Sequence, residues 1–304
     1  MPLQFSQNVF FRNIKDAISN LDPEEARRHA ERPIRLFLYA DSDRAYRQME
    51  DFFAPPELSE ARRTQLQNRI YRATDGFLPS QANDLEIYLE DSPQEIPRPT
   101  SRVFAFHPDR PMHTVHSVLQ ERRDLAIPLA VHIQPFREEV SHRIIKKVAK
   151  ENALFALATA LPDIIPLLSL PWAIGEFASD TALLTADQFR MAFLLAAAND
   201  RDIGYREQKA EVVSIMMGAF GWRALARELA GKIPLGGGLI PKAAIAYAGT
   251  RVVGLSLERL YRIGHAYTRE ERRLAYEDAL QRGKTYAASL LDNIRTKNPG
   301  ARIG

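Results

Sequence analysis

The chain of 304 residues contains no cysteine, which excludes disulfide bonds, thiolate metal ligands and a cysteine nucleophile. Glycine is scarce in one half: residues 1–150 hold a single glycine, Gly76, whereas residues 151–304 hold the other 14. A phosphate-binding loop needs several glycines so that backbone N–H groups can approach the phosphates. Neither G-x-x-x-x-G-K-S/T nor G-x-G-x-x-G can therefore occur within residues 1–150.

A strong charge imbalance is also lacking, since 41 basic residues stand against 38 acidic ones and the net charge is +3. Basic residues are mixed with acidic ones and no stacking pattern of aromatic residues accompanies them, so we expect no nucleic-acid partner. The first 21 residues have no basic segment followed by an apolar one, which predicts that there is no secretory signal and that the protein is cytoplasmic.

Apolar residues recur at helical spacing near the start of the chain, at Phe10, Ile14 and Ile18. Asp22 and Pro23 then form a helix-start signal, with Asp22 as the expected N-cap and Pro23 in the first turn. We therefore predict amphipathic N-terminal helices in residues 1–32.

Strands alternate with helices in residues 33–137. The strands are predicted at 34–40, 84–89, 102–106 and 127–133, and the helices at 43–53, 57–72 and 113–123. This alternation predicts an α/β domain with a mostly parallel sheet, similar to P-loop or Rossmann domains but degenerate in its nucleotide motifs. The proline-rich link before residue 102 leaves open a hairpin between the second and third strands.

From Glu138 onwards the pattern is helical, and we expect no strand after residue 133. Helices are predicted around residues 181–198, 206–231, 242–261 and 269–291. The pattern therefore predicts an all-α domain over 138–296 with a loose tail at 297–304. The domain boundary is expected near residues 137–151.

Nucleotide motifs are missing where an α/β domain would carry them. After the first strand stand Asp41, Ser42, Asp43 and Arg44, without glycine or lysine, and the two carboxylates would repel a phosphate. Gly283-Lys284-Thr285 has the end of a P-loop motif, but Asp278 occupies the position of its first glycine. We predict no nucleotide cofactor from these residues.

Metal and hydrolase motifs are missing as well. His113 and His116 are three residues apart, with His107 nearby, but no glutamate completes a His-Glu-x-x-His pattern. No Gly-x-Ser-x-Gly sequence marks a serine nucleophile. We therefore predict surface histidines, no metal and no catalytic residue.

The most apolar run is residues 153–175, whose one charged residue is Asp163. Its length would cross a bilayer, and Lys146, Lys147 and Lys150 before it suit a cytoplasmic flank. Asp163 and three prolines oppose a helix in lipid. Membrane insertion, a buried helical hairpin and peripheral attachment all remain open.

A second apolar segment lies at 239–257, where Ala246, Thr250 and Gly254 are spaced for close helix packing. Three glycines precede this segment and either form a flexible turn between helices or bind an anion or a lipid headgroup beside a helix start. The residues predicted to contact a membrane or a partner are Lys146, Lys147, Lys150, Asp163, Trp172, Trp222, Gly236, Gly237, Gly238 and Lys242.

Several blocks in residues 145–265 resemble the bacterial family called domain of unknown function 697. The blocks occur in order at 152–157, 161–163, 186–191, 222–229 and 243–250, followed by Gly254. The resemblance implies a helical, hydrophobic module of unassigned activity, often membrane-associated and typically following a GTPase domain. It supplies no catalytic residues.

Together these patterns predict a non-enzymatic protein, either membrane-associated or a scaffold, that pairs a pseudo-GTPase domain with a hydrophobic helical module. Its expected partners are a protein such as a GTPase, a second copy of itself, or the anionic surface of the inner membrane. One alternative is a GTPase-related enzyme with an atypical nucleotide site around residues 39–44. A second alternative is an integral membrane protein inserted through residues 153–175.

Overall fold

A computed structural model describes residues 21–73, 84–90, 102–159, 180–208, 210–211, 215 and 239–297. The chain divides into two compact units. The α/β unit comprises Glu24–His142 with Ala197–Arg201, and the helical unit comprises Met1–Pro23, Arg143–Ala196 and Asp202–Gly304. An α/β region and a helical region are therefore both present, as predicted.

The described residues of the α/β unit form a sheet of four parallel strands with the order β2-β1-β3-β4. Its elements are α1 (Pro23–Ala30), β1 (Arg35–Tyr39), α2 (Asp43–Phe53), α3 (Glu60–Gln67), β2 (Ile70–Arg72), β3 (Asp84–Leu89), β4 (Val103–Phe106), α4 (Pro111–Glu121), a 3₁₀ turn (Arg123–Leu125), α5 (Ala126–His132) and the start of α6 (Gln134–Ala158). The strands predicted at 34–40, 84–89 and 102–106 are confirmed.

Residues on both faces of this sheet are buried. Leu36 and Leu38 point to one face, whereas Phe37 and Tyr39 point to the other, and all four are buried. Nearly continuous apolar runs are expected for a parallel sheet covered on both sides. Strands β3 and β4 pair in parallel, with Glu86 opposite Val103, so the hairpin alternative is wrong.

Phe53 on α2 anchors the packing on the Leu36 face. Its ring centroid lies 5.8 Å from that of Phe106 on β4 and 6.3 Å from that of Phe136 at the start of α6. Thr114 on α4 donates a hydrogen bond to the carbonyl oxygen of Ala105 at 2.9 Å, which ties that helix to β4. The helices are thus fixed to the strands by large apolar contacts and one buried hydroxyl.

The strand predicted at 127–133 is wrong, because these residues form the helix α5. A short, fully apolar run does not distinguish a buried strand from a buried helix by its periodicity. Pro128 carries the missing signal: proline is tolerated in the first turn of a helix but cannot donate to the ladder of an interior strand.

The helix predicted at 57–72 is too long. Helix α3 ends at Gln67, and Ile70–Arg72 forms β2 beside β1, with Ile70 opposite Leu36. The N–H of Arg69 bonds to the carbonyl oxygen of Leu66 in a tight turn between them. The β-forming pair Ile70 and Tyr71 marks the change to a strand.

The helical unit is formed by the larger part of α6, by α7 (Asp180–Ala198), α8 (Leu239–Ile263) and α9 (Arg269–Lys297), and its described residues include no strand. The helices predicted at 181–198, 242–261 and 269–291 are confirmed. Ala149, Ala153 and Leu157 of α6 pack with Ala243 and Tyr247 of α8 and with Ala287 of α9. Most of the helix predicted at 206–231, and the tail, lie outside the described residues.

Gly254 and Gly283 lie where helices of this unit come close together. A Cβ atom on Gly254 would be 2.7 Å from Cγ1 of Ile145 on α6 and 3.0 Å from Sδ of Met191 on α7. A Cβ on Gly283 of α9 would be 2.9 Å from the backbone oxygen of Ala244 on α8. Small residues therefore allow the close helix packing that the sequence predicted for 239–257.

Among the described residues, no helix has both the length and the apolar character needed to span a membrane. Ala153 and Leu157, in the first part of the 153–175 run, are buried against other helices of the unit. The remainder of that run, from residue 160, lies outside the described residues.

Candidate functional site

The carboxyl ends of β1 and β3 form the switch point of the sheet, because β2 lies on one side of β1 whereas β3 and β4 lie on the other. Open parallel sheets bind ligands in the crevice outside such a switch point. The segments that follow β1, β3 and β4 are therefore the candidate site, and we call them the carboxyl edge: residues 39–43, 88–90 and 106–109.

Two stacked tyrosines end the paired strands at this edge. Tyr39 lies opposite Tyr88 in the ladder, and their rings are nearly parallel with centroids 4.2 Å apart. The Tyr88 hydroxyl donates to Glu86 at 3.0 Å. Burial raises the pKa of both phenols, reinforced at Tyr39 by the Glu86 charge and at Tyr88 by Tyr39 and Glu86. Both hydroxyls are thus kept protonated.

The start of α2 carries the acidic part of the edge. The Ser42 hydroxyl accepts a hydrogen bond from the N–H of Ala45 at 3.3 Å, so it is used as the helix N-cap. Asp43 occupies the first turn and is paired with Arg72 of β2 at 2.5 Å. Asp41 is exposed beside them. Carboxylates therefore lie at the helix end that would otherwise attract an anion.

A histidine–carboxylate pair joins the ends of β3 and β4. Glu90 bonds to Nδ1 of His107 through Oε2, and its backbone N–H donates to the carbonyl oxygen of Phe106 at 3.0 Å. The His107 ring is mostly buried and meets the His113 ring edge-on, with centroids 4.8 Å apart. These contacts fix the orientation of the imidazole.

This arrangement can bind a cation or move a proton, but it is poorly suited to phosphate. With Nδ1 held by Glu90, Nε2 is the His107 nitrogen left for exchange with a ligand. No group of three or more histidine, aspartate or glutamate side chains is placed to hold a metal ion in the part of the chain described. The neighbouring carboxylates favour a positively charged ligand.

The predicted contact lysines lie in the helical unit, away from this edge in sequence. Lys146 and Lys147 are exposed on α6, and Lys147 lies 3.8 Å from Glu151. Lys150 is half-buried, with its Nζ 5.0 Å from the centroid of the Tyr286 ring. Lys242, at the start of α8, donates to the Thr159 hydroxyl at 2.8 Å. The remaining predicted contacts, which are Asp163, Trp172, Trp222, Gly236, Gly237 and Gly238, lie outside the described residues.

Sequence reasoning missed a buried carboxyl group, Asp187, and a half-buried one, Glu151, in the helical unit. Burial raises the pKa of Asp187 on α7 to about 7, with Arg190 opposing and Glu151 reinforcing the shift. Burial also raises the pKa of Glu151, against Lys147 and Arg190. Oε2 of Glu151 lies 3.9 Å from Arg190, too far for a hydrogen bond. An acidic residue within the apolar stretch of α7 was the available signal.

The pairing of Glu90 with His107 was missed for a different reason. The two residues are 17 positions apart, and only the parallel pairing of β3 with β4 places them side by side. The sequence predicted surface histidines here, whereas His107 is one of the buried polar residues. The acidic start of α2, by contrast, follows directly from Asp41 and Asp43.

No protein-family model, curated protein or solved structure matches this chain. The resemblance of residues 145–265 to the domain of unknown function 697 family stays a prediction.

Proposed function

We propose that this protein is a non-enzymatic binding protein, a scaffold whose α/β unit recognises a protein partner and whose helical unit attaches to an anionic membrane surface. The observation that carries the proposal is the presence of Asp41 and Asp43 at the start of α2. A nucleotide-binding domain of this strand order would hold phosphate at that helix end.

A degenerate, GTPase-like origin of the α/β unit is part of the proposal. Its support is the parallel sheet with the switch point between β1 and β3 and the helix that follows β1 directly. Layout alone does not establish function. A phosphate-binding loop needs glycines and a lysine at the first strand–helix turn, but this turn contains aspartates. We infer that the site has lost the ability to bind phosphate.

The same electrostatics indicate which partner the carboxyl edge would accept. Asp41 and Asp43 are both exposed at the start of α2, which is the positive end of the helix dipole. Asp43 is paired with Arg72, so Asp41 is the carboxylate whose oxygens the edge offers to a partner. Lysine or arginine side chains of a partner protein satisfy such oxygens with charge-assisted hydrogen bonds. We therefore assign a basic segment of a protein to this edge.

The helical unit supplies the proposed attachment to the inner membrane from the cytoplasm. Lys146 and Lys147 are exposed on the same stretch of α6, next to the half-buried Lys150. Basic residues near an anionic bilayer contribute about 1 kcal/mol each to binding. Attachment through a basic helix surface needs no membrane-spanning helix.

Calorimetric titration tests the nucleotide part. We expect no binding heat with GTP or ATP in the presence of Mg²⁺. The competing enzyme hypothesis predicts micromolar binding that Asp41→Ala or Arg44→Ala abolishes. That result would overturn the scaffold proposal.

A basic probe tests the partner chemistry at the same edge. We expect an oligolysine peptide to bind at low salt and to bind several-fold more weakly to the Asp41→Asn/Asp43→Asn variant. Asp51→Asn, at the other end of α2, is the matched control and should leave peptide binding unchanged. An equal loss per removed charge in the two variants would assign the effect to net charge rather than to this edge.

Vesicle sedimentation tests the attachment. We expect the protein to pellet with phosphatidylserine vesicles but not with neutral phosphatidylcholine vesicles. Lys146→Gln/Lys147→Gln should reduce pelleting, whereas Lys284→Gln on α9 should not. Protein that stays with cell membranes through carbonate extraction would instead support insertion through residues 153–175 and contradict peripheral attachment.

A further inference from the structure

Two arginines from distant parts of the sequence meet at the last turn of α5, in the α/β unit. Nη2 of Arg62 on α3 donates to the carbonyl oxygen of Val131. Arg137 at the start of α6 donates to the same oxygen at 3.1 Å and, through Nε, to the Ala130 carbonyl oxygen at 3.2 Å. The two guanidinium groups therefore converge on one oxygen atom.

A third arginine joins them without a partner of its own. Arg69, just before β2, is half-buried, and its side chain makes no hydrogen bond or ion pair with other described residues. Burial lowers its pKa, and the neighbouring Arg62 charge lowers it further. Burial and the Arg62 charge likewise lower the pKa of Arg137. Positive charges that lie close together lower one another's pKa in this way.

The carboxylate of Asp200, which follows α7, is a counterion in this cluster. Its carboxylate lies 3.1 Å from Nη1 of Arg62. Asp200 has a φ of +56°, a left-handed conformation that a non-glycine residue adopts at some cost. Its charge also opposes the pKa shift of Arg137, whereas the charges acting on Arg69 are those of Arg62 and Tyr71. The positive charges of the three arginines therefore outnumber the Asp200 charge, and Arg201 adds a further positive charge beside Arg137.

A buried nitrogen lies in the same cluster. Nε2 of His132, the last residue of α5, is inaccessible to solvent and has no hydrogen-bond partner among the described residues. Burial lowers the pKa of His132 to about 4, with the charges of Arg69 and Arg62 adding to the effect. A neutral imidazole carrying its proton on Nε2 would have an unused donor.

We propose that Arg62, Arg69, Arg137 and His132 form a binding site for a phosphate-type dianion. The excess of positive charge favours a dianion. Guanidinium groups present forked donors that suit tetrahedral oxyanions. Arg62 and Arg137 are held in place by the α5 carbonyl oxygens, while Arg69 keeps all of its side-chain donors for the ligand. This site is independent of the proposed function, because it shares no residue with the carboxyl edge.

Isothermal titration with inorganic phosphate, at constant ionic strength with chloride as the background salt, tests the site. We expect one phosphate per chain. Arg69→Gln should weaken phosphate binding about tenfold, since a charged hydrogen-bond donor is lost. Arg69→Lys should keep most of the affinity because it keeps the charge. Arg47→Gln, an exposed arginine on α2, is the matched control and should bind as the wild type does.

Thermal unfolding without phosphate checks that each variant folds. His132→Phe gives a second measurement that leaves all three arginines in place, and we expect it to weaken phosphate binding about threefold or more. Absence of phosphate binding to the wild type at millimolar concentration would overturn the proposal. So would unchanged affinity in folded Arg69→Gln and His132→Phe variants.

Discussion

The two units differ in the side chains that lie where their main elements meet. The α/β unit buries large residues, among them Phe37, Phe53, Phe106 and Phe136. The helical unit buries alanines where its helices meet: Ala149, Ala153, Ala243, Ala248, Ala279 and Ala287. The helical unit also buries Phe155, Phe189 and Phe193, so the difference lies in the contacts among α6, α8 and α9, where backbones approach each other closely.

This difference predicts that the two units respond oppositely to mutations that change side-chain size. Removing atoms from the α/β unit leaves a cavity that the surroundings fill only in part. Adding atoms to the helical unit forces helices apart. Because a chain of two units need not unfold in one step, each unit requires its own reporter. Because the chain has no cysteine, one can be introduced at a single buried position, Ala130 in the α/β unit or Ala153 in the helical unit. A thiol reagent then labels that cysteine only when its own unit unfolds.

The largest effect is expected for Phe53→Ala in the α/β unit. Phe53 is fully buried, and its ring contacts those of Phe52, Phe106 and Phe136. We expect a loss of about 3–5 kcal/mol in the free energy of unfolding. Urea unfolding followed by labelling of the Ala130→Cys reporter measures it. Phe53→Leu, the volume-sparing control, should cost far less, and equal losses would contradict a cavity as the cause.

The second effect concerns the buried acid of the helical unit. The pKa of Asp187 is about 7 in the folded protein and about 4 for an ordinary aspartate. Its protonated form is thus favoured by folding. The stabilisation is complete below about pH 4 and is lost as the pH rises through about 7. We expect the helical unit to lose about 4 kcal/mol between these limits.

Asp187→Asn keeps the shape of the side chain and removes its titration. Urea unfolding at pH 5 and pH 8, with the Ala153→Cys reporter, should show a smaller pH dependence in this variant. Asp292→Asn, at an exposed position of α9, is the control. A pH dependence unchanged by Asp187→Asn would assign it to Glu151 or to another group.

A smaller effect is expected for Gly283→Ala on α9. The added Cβ would lie 2.9 Å from the backbone oxygen of Ala244 and 3.0 Å from its Cα, atoms that cannot rotate away. The higher helix propensity of alanine offsets about 1 kcal/mol of this clash, so we expect a net loss of about 1–2 kcal/mol. Lys284→Ala, next to it and exposed, should be neutral. A stabilised Gly283→Ala variant would show that α8 and α9 can separate freely.

The smallest effect concerns His132, whose pH dependence has the opposite sign to that of Asp187. Since the pKa of His132 falls to about 4, folding favours its neutral form. The stabilisation is complete above about pH 6.5 and is lost as the pH falls through about 4. Because His132 is partly exposed to solvent, we expect only about 1 kcal/mol. The α/β unit should therefore weaken on acidification, the direction opposite to the helical unit.

His132→Gln should remove this acid sensitivity in urea unfolding read from the Ala130→Cys reporter. His142→Gln, an exposed histidine on α6, should not change it. If both variants kept the full acid sensitivity, carboxylates rather than His132 would be its source.

Local patterns were sufficient for the longer elements of both units. Strands β1, β3 and β4 follow from their aromatic and branched residues, and helix α2 follows from Ser42 before it and Pro55 after it. The acidic start of α2 could also be predicted, because Asp41 and Asp43 are adjacent to the strand end. In these cases the determining residues lie within one element.

The failures share a physical cause, which is pairing between distant residues. Strand β2 has only three residues, and it exists because β1 offers it a partner. Arg62 and Arg137 meet at Val131 only after α5 has folded as a helix, and the predicted strand hid that arrangement. Glu90 and His107 likewise depend on the pairing of β3 with β4.

Gly283 also explains a misleading motif. Gly283-Lys284-Thr285 looks like the end of a phosphate-binding loop, yet Lys284 and Thr285 are exposed on a helix, and Gly283 is the residue that the fold constrains. Every other amino acid begins with the same Cβ atom, so selection at position 283 acts against all of them alike. In an alignment of relatives the glycine should persist while the lysine and threonine drift. A true phosphate loop would conserve all three.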